Sequence, residues 1–177
     1  MSNRKTKIKW LIVFLAVMLL AVAADQFTKY LAVENLQGRG AYVLIDGVLE
    51  LQFFCNTGIA WSMLEGQMIF ILFTGVILLS VMLFFIIKLP EQKKFHILYI
   101  LFGVLAGGAV GNMIDRIRLG YVVDFIYVSL INFPIFNVAD MCIVVSIIIF
   151  AFLFLFIYKE EDLSFLNFKQ KKYREVK

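Results

Sequence analysis

Four long apolar stretches restrict this chain to structures that form in a lipid bilayer. A helix needs about 20 mostly apolar residues to cross the hydrocarbon layer. Three stretches contain no charged side chain and are about that long: 66–87, 97–114 and 141–158. The fourth, residues 10–24, reaches spanning length only if its helix continues through Asp25 and Lys29. The sequence therefore predicts four transmembrane helices.

The predicted fold class is all-α, a four-helix transmembrane bundle that forms one integral membrane domain over residues 1–177. Hydrophobic residues make up 62% of the chain, which exceeds the roughly 50% that is usual for soluble domains. The spans are expected at about 10–33, 66–87, 97–115 and 139–158. Two loops, about 34–65 and 117–136, and a cytoplasmic tail, 159–177, complete the domain.

The beginning of the chain also fits a second interpretation. Basic residues precede an apolar run that ends in Ala21-Val22-Ala23, which is typical of a cleavable secretory signal. Cleavage there would remove the first span and separate Asp25 from the helix that supports it. We therefore expect this segment to remain as a membrane helix.

The distribution of basic residues predicts the orientation in the membrane. Of the 17 Lys and Arg residues, thirteen lie in the terminal segments and in the link 88–95. Because cytoplasmic loops carry an excess of Lys and Arg, both termini are expected in the cytoplasm and the two loops on the outer face. The net charge of +4 then reflects topology and affinity for membrane lipids. We expect no nucleic-acid partner.

The first outer loop contains a predicted β-hairpin. Asp46-Gly47 is a turn dipeptide that follows an apolar run, and residues 48–54 then alternate between apolar and polar side chains. The apolar face needs cover, so the hairpin is expected on the membrane surface or over the bundle. The second outer loop is rich in aromatic residues and is expected to lie in the interface between the third and fourth spans.

Polar side chains at membrane depth gather at one end of the spans. An Asp at the centre of a membrane helix costs roughly 2.5 to 3.5 kcal/mol on insertion scales, so such residues mark functional sites. The set comprises Asp25, Lys29, Asn112, Asp115, Arg116, Asp124, Asn137 and Asp140. All of them fall at the predicted outer ends of the spans.

The third span also carries a stripe of small residues. Gly103, Gly107 and Gly111 form two overlapping G-x-x-x-G steps, a pattern typical of close helix association. Gly108, Gly111, Asn112 and Asp115 share one helix face. The glycines alone indicate packing, whereas the two polar residues indicate a face that points into the bundle.

Asp124 and Asp140 are the predicted catalytic pair. They cannot lie on one continuous helix, because Pro134 separates them, but they can meet if the chain re-enters the membrane near Asp140. Two carboxyls in a partly dehydrated place tend to share a proton. One can then accept a proton from water while the other donates one to a carbonyl oxygen. Taken singly, Asp140 could instead be a helix cap and Asp124 a solvated loop acid.

Five short motifs, in this order, resemble those of the bacterial lipoprotein signal peptidase family, also called signal peptidase II. They are residues 25–29 (DQFTK), 56–61 (NTGIAW), 107–116 (GGAVGNMIDR), 122–125 (VVDF) and 136–140 (FNVAD). The resemblance implies an intramembrane aspartic endopeptidase of the bacterial cytoplasmic membrane, with its active site near the outer leaflet. It would remove the signal peptide of diacylglyceryl-modified prolipoproteins by cutting before the lipid-modified cysteine.

The resemblance also implies roles for individual residues. Asp124 and Asp140 match the catalytic pair of the family, and the hairpin matches a cradle that holds substrate. The residues that match its substrate-binding or supporting positions are Asp25, Lys29, Asn56, Asn112, Asp115, Arg116 and Asn137. Inhibition by cyclic peptides of the globomycin type is expected. With one histidine and two distant cysteines, we expect no metal or other cofactor.

Two other functions fit parts of the pattern. A transporter or channel could use the buried acids as a proton or cation relay, but the chain has no inverted repeat and no broken helix in the middle of a span. A membrane scaffold could bind partners through the glycine stripe. That function leaves the gathered acids unexplained.

Overall fold

The computed structural model describes residues 2–58, 64 and 66–166. Its helices are α1 (Ser2–Leu36), α2 (Met68–Lys88), α3 (His96–Leu119) and α4 (Val138–Phe152). Its strands are β1 (Tyr42–Ile45), β2 (Leu49–Asn56) and β3 (Val122–Tyr127). A π-helical turn, Leu153–Ile157, extends α4, and the 3-10 helix Glu160–Leu166, here named the tail helix, follows it. Motif residues 59–61 and tail residues 167–177 lie outside the described residues.

The predicted fold class is confirmed. Within the described residues, four helices are long and apolar enough to cross a membrane: Arg4–Leu36, Met68–Lys88, Lys93–Leu119 and Val138–Ile157. Helix α3 is the central one. Half of the residues in its most apolar stretch are buried, whereas the corresponding fraction is 6 to 11% in the other three helices. Helix α1 continues through Ala21-Val22-Ala23 without a break and delivers Asp25 and Lys29 to the end of the bundle.

The glycines of α3 explain its central place. A methyl group on Gly103 would lie 2.9 Å from the Phe14 carbonyl oxygen, and one on Gly107 would overlap Ala21 of α1. Gly108 faces α4 in the same way, against the Ala139 carbonyl oxygen. The glycine stripe is therefore used inside the bundle, as the packing interpretation predicts.

A matched pair of substitutions tests this packing. Gly107→Ala is expected to lower the melting temperature, because overpacking a close backbone contact costs about 1 to 3 kcal/mol. Gly75→Ala is the control, since its methyl group would lie 3.2 Å from the flexible Met113 sulfur and alanine favours the helix. Thermal melts in detergent measure both. Equal melting temperatures for the two variants would contradict close packing of α1 on α3.

The predicted hairpin is present, and a third strand joins it. Strands β1 and β2 pair antiparallel around the Asp46-Gly47 turn, where Gly47 has a φ of 65°. Strand β3 pairs antiparallel with the other edge of β2, with Asp124 opposite Phe54. The sequence predicts an interfacial loop at about 117–136, and that prediction is wrong for the residues of β3. Its β-branched and aromatic residues suit a strand, but the free edge of β2 becomes visible only in the fold.

The sheet covers the end of the bundle. Val123 and Phe125 are buried on one face of β3 together with Ala32 and Leu36 of α1, and Leu51 of β2 packs against them. Side chains alternate along a strand, so Asp124 points to the opposite face. The apolar contact with α1 thus fixes the position of Asp124.

Candidate active site

Asp124 is held in the interior by two amide groups. Its side chain has no exposed surface. Asn56 Nδ2 donates to Oδ2 at 2.8 Å, and Asn137 Nδ2 donates to Oδ1 at 2.6 Å. The alternative interpretation of Asp124 as a solvated loop acid is therefore wrong.

Burial changes the acidity of this group. Desolvation raises the pKa of Asp124 from 3.8 to about 6, because a buried carboxylate loses its hydration. The negative charge of Asp140 contributes to this rise, whereas the hydrogen bonds from Asn56 and Asn137 act in the opposite direction. The protonated form of Asp124 is therefore favoured in this site.

Asp140 lies in the first turn of α4. Asn137 is the N-cap residue, and its side-chain oxygen accepts a hydrogen bond from Asp140 N at 3.0 Å. In return, Asp140 Oδ2 accepts from Asn137 N at 3.1 Å, which completes a capping box. The interpretation of Asp140 as a capping residue is correct. Its other oxygen, Oδ1, accepts a 2.8 Å hydrogen bond from Asn112 Nδ2.

Asn112 connects the two carboxyls to the rest of the site. Its side-chain oxygen accepts from Asn137 Nδ2 at 3.1 Å and from Lys29 Nζ at 2.8 Å. With its oxygen occupied by two donors, the amide can only present its NH₂ group to Asp140. Asn112 and Asn137 therefore link Asp124 with Asp140 through one continuous set of hydrogen bonds.

Lys29 is the buried cation of the site. Its Nζ lies 2.9 Å from Asp25 Oδ2 and 3.0 Å from Asp115 Oδ2, and only 3% of the residue is exposed. Asp25 and Lys29, one turn apart on α1, therefore form an ion pair in the interior, with Asp115 as a third member. A buried cation needs such compensation, because its transfer from water is expensive.

The acids bound to Lys29 also hold the backbone that carries the carboxyl pair. Asp25 Oδ1 accepts a 2.9 Å hydrogen bond from Ala139 N, next to Asp140. Asp115 Oδ2 accepts a 3.1 Å hydrogen bond from Val123 N, next to Asp124. Helix α1 and helix α3 thus fix the first turn of α4 and the middle of β3.

Arg116 and Asn56 act on the loop after β2. Arg116 Nη2 donates to the Gly58 carbonyl oxygen at 2.7 Å, and its charge is close enough to interact with both Asp124 and Asp140. Asn56 Oδ1 accepts from Gly58 N at 3.0 Å, which directs its NH₂ group to Asp124. Among the described residues, the other hydrogen bond of Arg116 goes to the Asn112 carbonyl oxygen, at 3.4 Å from Nη1.

One residue of this network was missed by the sequence analysis. Gln26 Nε2 donates to Asp115 Oδ1 at 2.8 Å and contacts Asp25 Oδ2 at 3.2 Å. It stands in the first motif and is a polar residue at membrane depth, so the criterion that selected Asp25 and Lys29 would have found it.

The structure brings all nine predicted site residues into one region at one end of the bundle. The fold and the site define a polytopic membrane protein that holds two neighbouring carboxyls in a shared network of amides. Such a pair can exchange protons with a bound water and a substrate carbonyl group.

Comparisons with known proteins agree with this class. The family model described as signal peptidase (SPase) II matches residues 17–156. The chain is 45% identical to a lipoprotein signal peptidase of Enterococcus faecalis over 146 residues, 82% of this chain and 89% of the relative. It is 38% identical to that of Bacillus subtilis over 134 residues, 74% of this chain and 85% of the relative.

Two solved structures share the fold of this chain. A bacterial membrane enzyme determined by the in meso method superposes with a TM-score of 0.74 at 30% identity, over 93% of this chain and 94% of the other. A second one has a TM-score of 0.72 at 30% identity, over 82% and 94%. The chain belongs to the signal peptidase II family. Membership makes it a membrane protease and supports the removal of signal peptides from lipoproteins as its activity.

Proposed function

We propose that this chain is an aspartic endopeptidase that cuts diacylglyceryl-modified prolipoproteins before the lipid-modified cysteine, with Asp124 and Asp140 as the catalytic residues. The observation that carries the proposal is the shared amide network. Asn137 and Asn112 hold both carboxyls, and the negative charge of Asp140 acts on Asp124. Carboxyls that interact in this way share protons.

The two acids have different environments, which suggests different roles. Asp124 is fully buried and its pKa is raised to about 6, which favours its protonated form. Asp140 is partly exposed and lies in the first turn of α4, where the helix N-terminus favours a negative charge. Asp140 is thus the base and Asp124 the acid.

The reaction follows from these roles. Asp140 accepts a proton from water as the water oxygen bonds to the scissile carbonyl carbon, and Asp124 gives its proton to the carbonyl oxygen. Asp140 then passes its proton to the leaving nitrogen while the carbon–nitrogen bond breaks. Asp124 recovers a proton from the hydroxyl as the new carboxyl group forms. The pair returns to its starting state, so no covalent enzyme intermediate is required.

The remaining site residues position this pair. Lys29, Asp25 and Asp115 fix Asn112 and the backbone beside each acid, and Asn56 orients Asp124. Arg116 holds the loop after β2 close to the pair. The bundle is proposed to lie in the bacterial cytoplasmic membrane with both termini in the cytoplasm. Most Lys and Arg residues lie in the terminal segments and in the link 88–95, and cytoplasmic segments carry an excess of basic residues. The carboxyl pair would then meet substrate near the outer leaflet.

A cleavage assay tests the proposal. Purified protein in detergent is expected to cut a diacylglyceryl-modified prolipoprotein, with the same prolipoprotein lacking the lipid as the matched control. Mass spectrometry of the new N-terminus should identify the lipid-modified cysteine. Activity should survive EDTA and be lost with globomycin. Loss on EDTA with recovery on added metal would contradict carboxyl catalysis, and a cut elsewhere would contradict the assigned substrate site.

A further inference from the structure

A cavity lies between α2, α3 and α4 at the end of the bundle opposite Asp124. Its volume is about 340 Å³, and every side chain that lines it is apolar. The walls include Phe85 of α2, Phe102 and Leu105 of α3, and Phe150 and Phe154 around the end of α4. The tail helix closes one end of the cavity with Leu163 and Phe165.

The cavity and the carboxyl pair share one face of α3. Leu98, Phe102 and Leu105 line the cavity, and Asn112 donates to Asp140. Residues spaced three or four apart lie on one stripe of a helix. Positions 98, 102, 105, 109 and 112 follow this spacing, so the cavity residues and Asn112 lie on the same stripe. An apolar segment that lies in the cavity and extends along this stripe therefore reaches the carboxyl pair.

The length of this path fits a particular kind of ligand. Leu98 and Asn112 are fourteen positions apart, which corresponds to about 21 Å along a helix. The apolar region of a signal peptide has about 7 to 15 residues and would span about 10 to 22 Å as a helix. A signal peptide whose cleavage site lies at Asp140 would thus end at the tail helix.

The tail helix offers acidic partners for the other end of a signal peptide, at an end of the bundle that is otherwise rich in lysine. Basic residues precede the apolar region of a signal peptide. The tail helix begins with Glu160, Glu161 and Asp162, of which Asp162 is bound to Lys94 and the two glutamates are exposed. An acyl chain also fits an apolar cavity, but it carries no cation for the glutamates.

We propose that the cavity between α2 and α4 binds the apolar helix of the substrate's signal peptide, and that Glu160 and Glu161 receive its basic N-terminal residues. This inference rests on the proposed function and names the subsite that places the scissile bond at the carboxyl pair. It assigns a specificity role to the tail helix, which lies at the far end of the bundle from the chemistry.

Photocrosslinking tests the subsite without the need for cleavage. A prolipoprotein with a benzophenone side chain in its apolar region is irradiated with the Asp124→Asn protein, and the adducts are mapped by mass spectrometry. Adducts are expected on Phe102, Phe150 and Phe154. Leu155, which is 74% exposed and does not line the cavity, is the internal control. Adducts mainly on Leu155, or none, would overturn the inference.

A charge exchange tests the role of the glutamates. The double variant Glu160→Lys, Glu161→Lys should raise KM for a substrate with a basic N-terminal region by about threefold to tenfold, since exposed charge contacts are weak. A substrate with acidic residues there should restore the original KM. Glu34→Lys is the matched control, because Glu34 lies near the C-terminal end of α1, at the opposite end of the bundle from the tail helix. An unchanged KM for both substrates would overturn the assignment of the glutamates.

These outcomes separate the subsite from the chemistry. If the wild-type protein cuts substrate but no cavity adducts form, only the subsite is refuted. If cavity adducts form but the wild-type protein does not cut, only the proposed hydrolysis is refuted.

Discussion

Replacing either Asp124 or Asp140 with asparagine is expected to lower the cleavage rate by about 10²- to 10⁴-fold, the usual contribution of general acid–base catalysis. Asparagine has nearly the same shape as aspartate but cannot accept a proton from water or donate a carboxyl proton. Both variants should fold, because each asparagine retains an oxygen for one of the hydrogen bonds from Asn137 or Asn112. The rate is measured with the lipid-modified prolipoprotein in detergent.

Asp46→Asn is the matched control for these variants, because Asp46 is exposed in the hairpin turn. It should cut at the wild-type rate. Melting temperatures of all three variants distinguish lost chemistry from lost structure. Full turnover by Asp124→Asn or Asp140→Asn would remove that residue from the mechanism.

Replacing Lys29 with methionine is expected to lower the free energy of unfolding more than the substitutions at Asp124, Asp140 and Gly107. Methionine fills the same space but leaves the Asp25 and Asp115 carboxylates buried without their cation. Breaking a buried ion pair on one side costs about 3 to 5 kcal/mol. At roughly 2 to 4 °C per kcal/mol for a protein of this size, the melting temperature should fall by about 6 to 20 °C.

The control for this variant lies on the same helix. Lys5→Met removes an exposed lysine near the start of α1 and should melt as the wild type does. Adding Asp25→Asn and Asp115→Asn to Lys29→Met removes the opposing charges and should recover much of the lost stability. If Lys29→Met melts within a degree or two of Lys5→Met, the buried ion cluster does not hold the site together.

Local patterns of the sequence predict much of the fold. The four spans follow from apolar length, since a single segment of about 20 apolar residues satisfies its own backbone in lipid as a helix. The Asp46-Gly47 turn and the close contacts of Gly107 follow from residue types with few structural alternatives. The gathering of polar residues at one end of the spans indicated where the site would lie.

The partners within the site could not be read from local patterns. The contact of Lys29 with Asp25 joins residues one helical turn apart, but its contact with Asp115 joins residues 86 positions apart. Strand β3 depends on the free edge of β2, which exists only once the hairpin has formed. The hydrogen bond from Gln26 to Asp115 likewise joins residues 89 positions apart.

The arrangement of the elements explains how a small bundle can hold two acids in fixed positions relative to each other. Three close contacts between α1 and α3 at glycine positions bring Lys29 next to Asp115. The acids bound to Lys29 then hold Ala139 N and Val123 N, the backbone next to each member of the pair. Packing in the membrane is thus transmitted to the geometry of the carboxyls through named hydrogen bonds.

The most direct test of the central claim is a crystal structure with a non-cleavable substrate analogue in which a tetrahedral hydroxyl group replaces the scissile carbonyl. If Asp124 and Asp140 activate one water together, that hydroxyl oxygen should lie within about 3 Å of a carboxyl oxygen of each residue. A hydroxyl group that contacts only one of the two carboxyls, or neither, would contradict the mechanism.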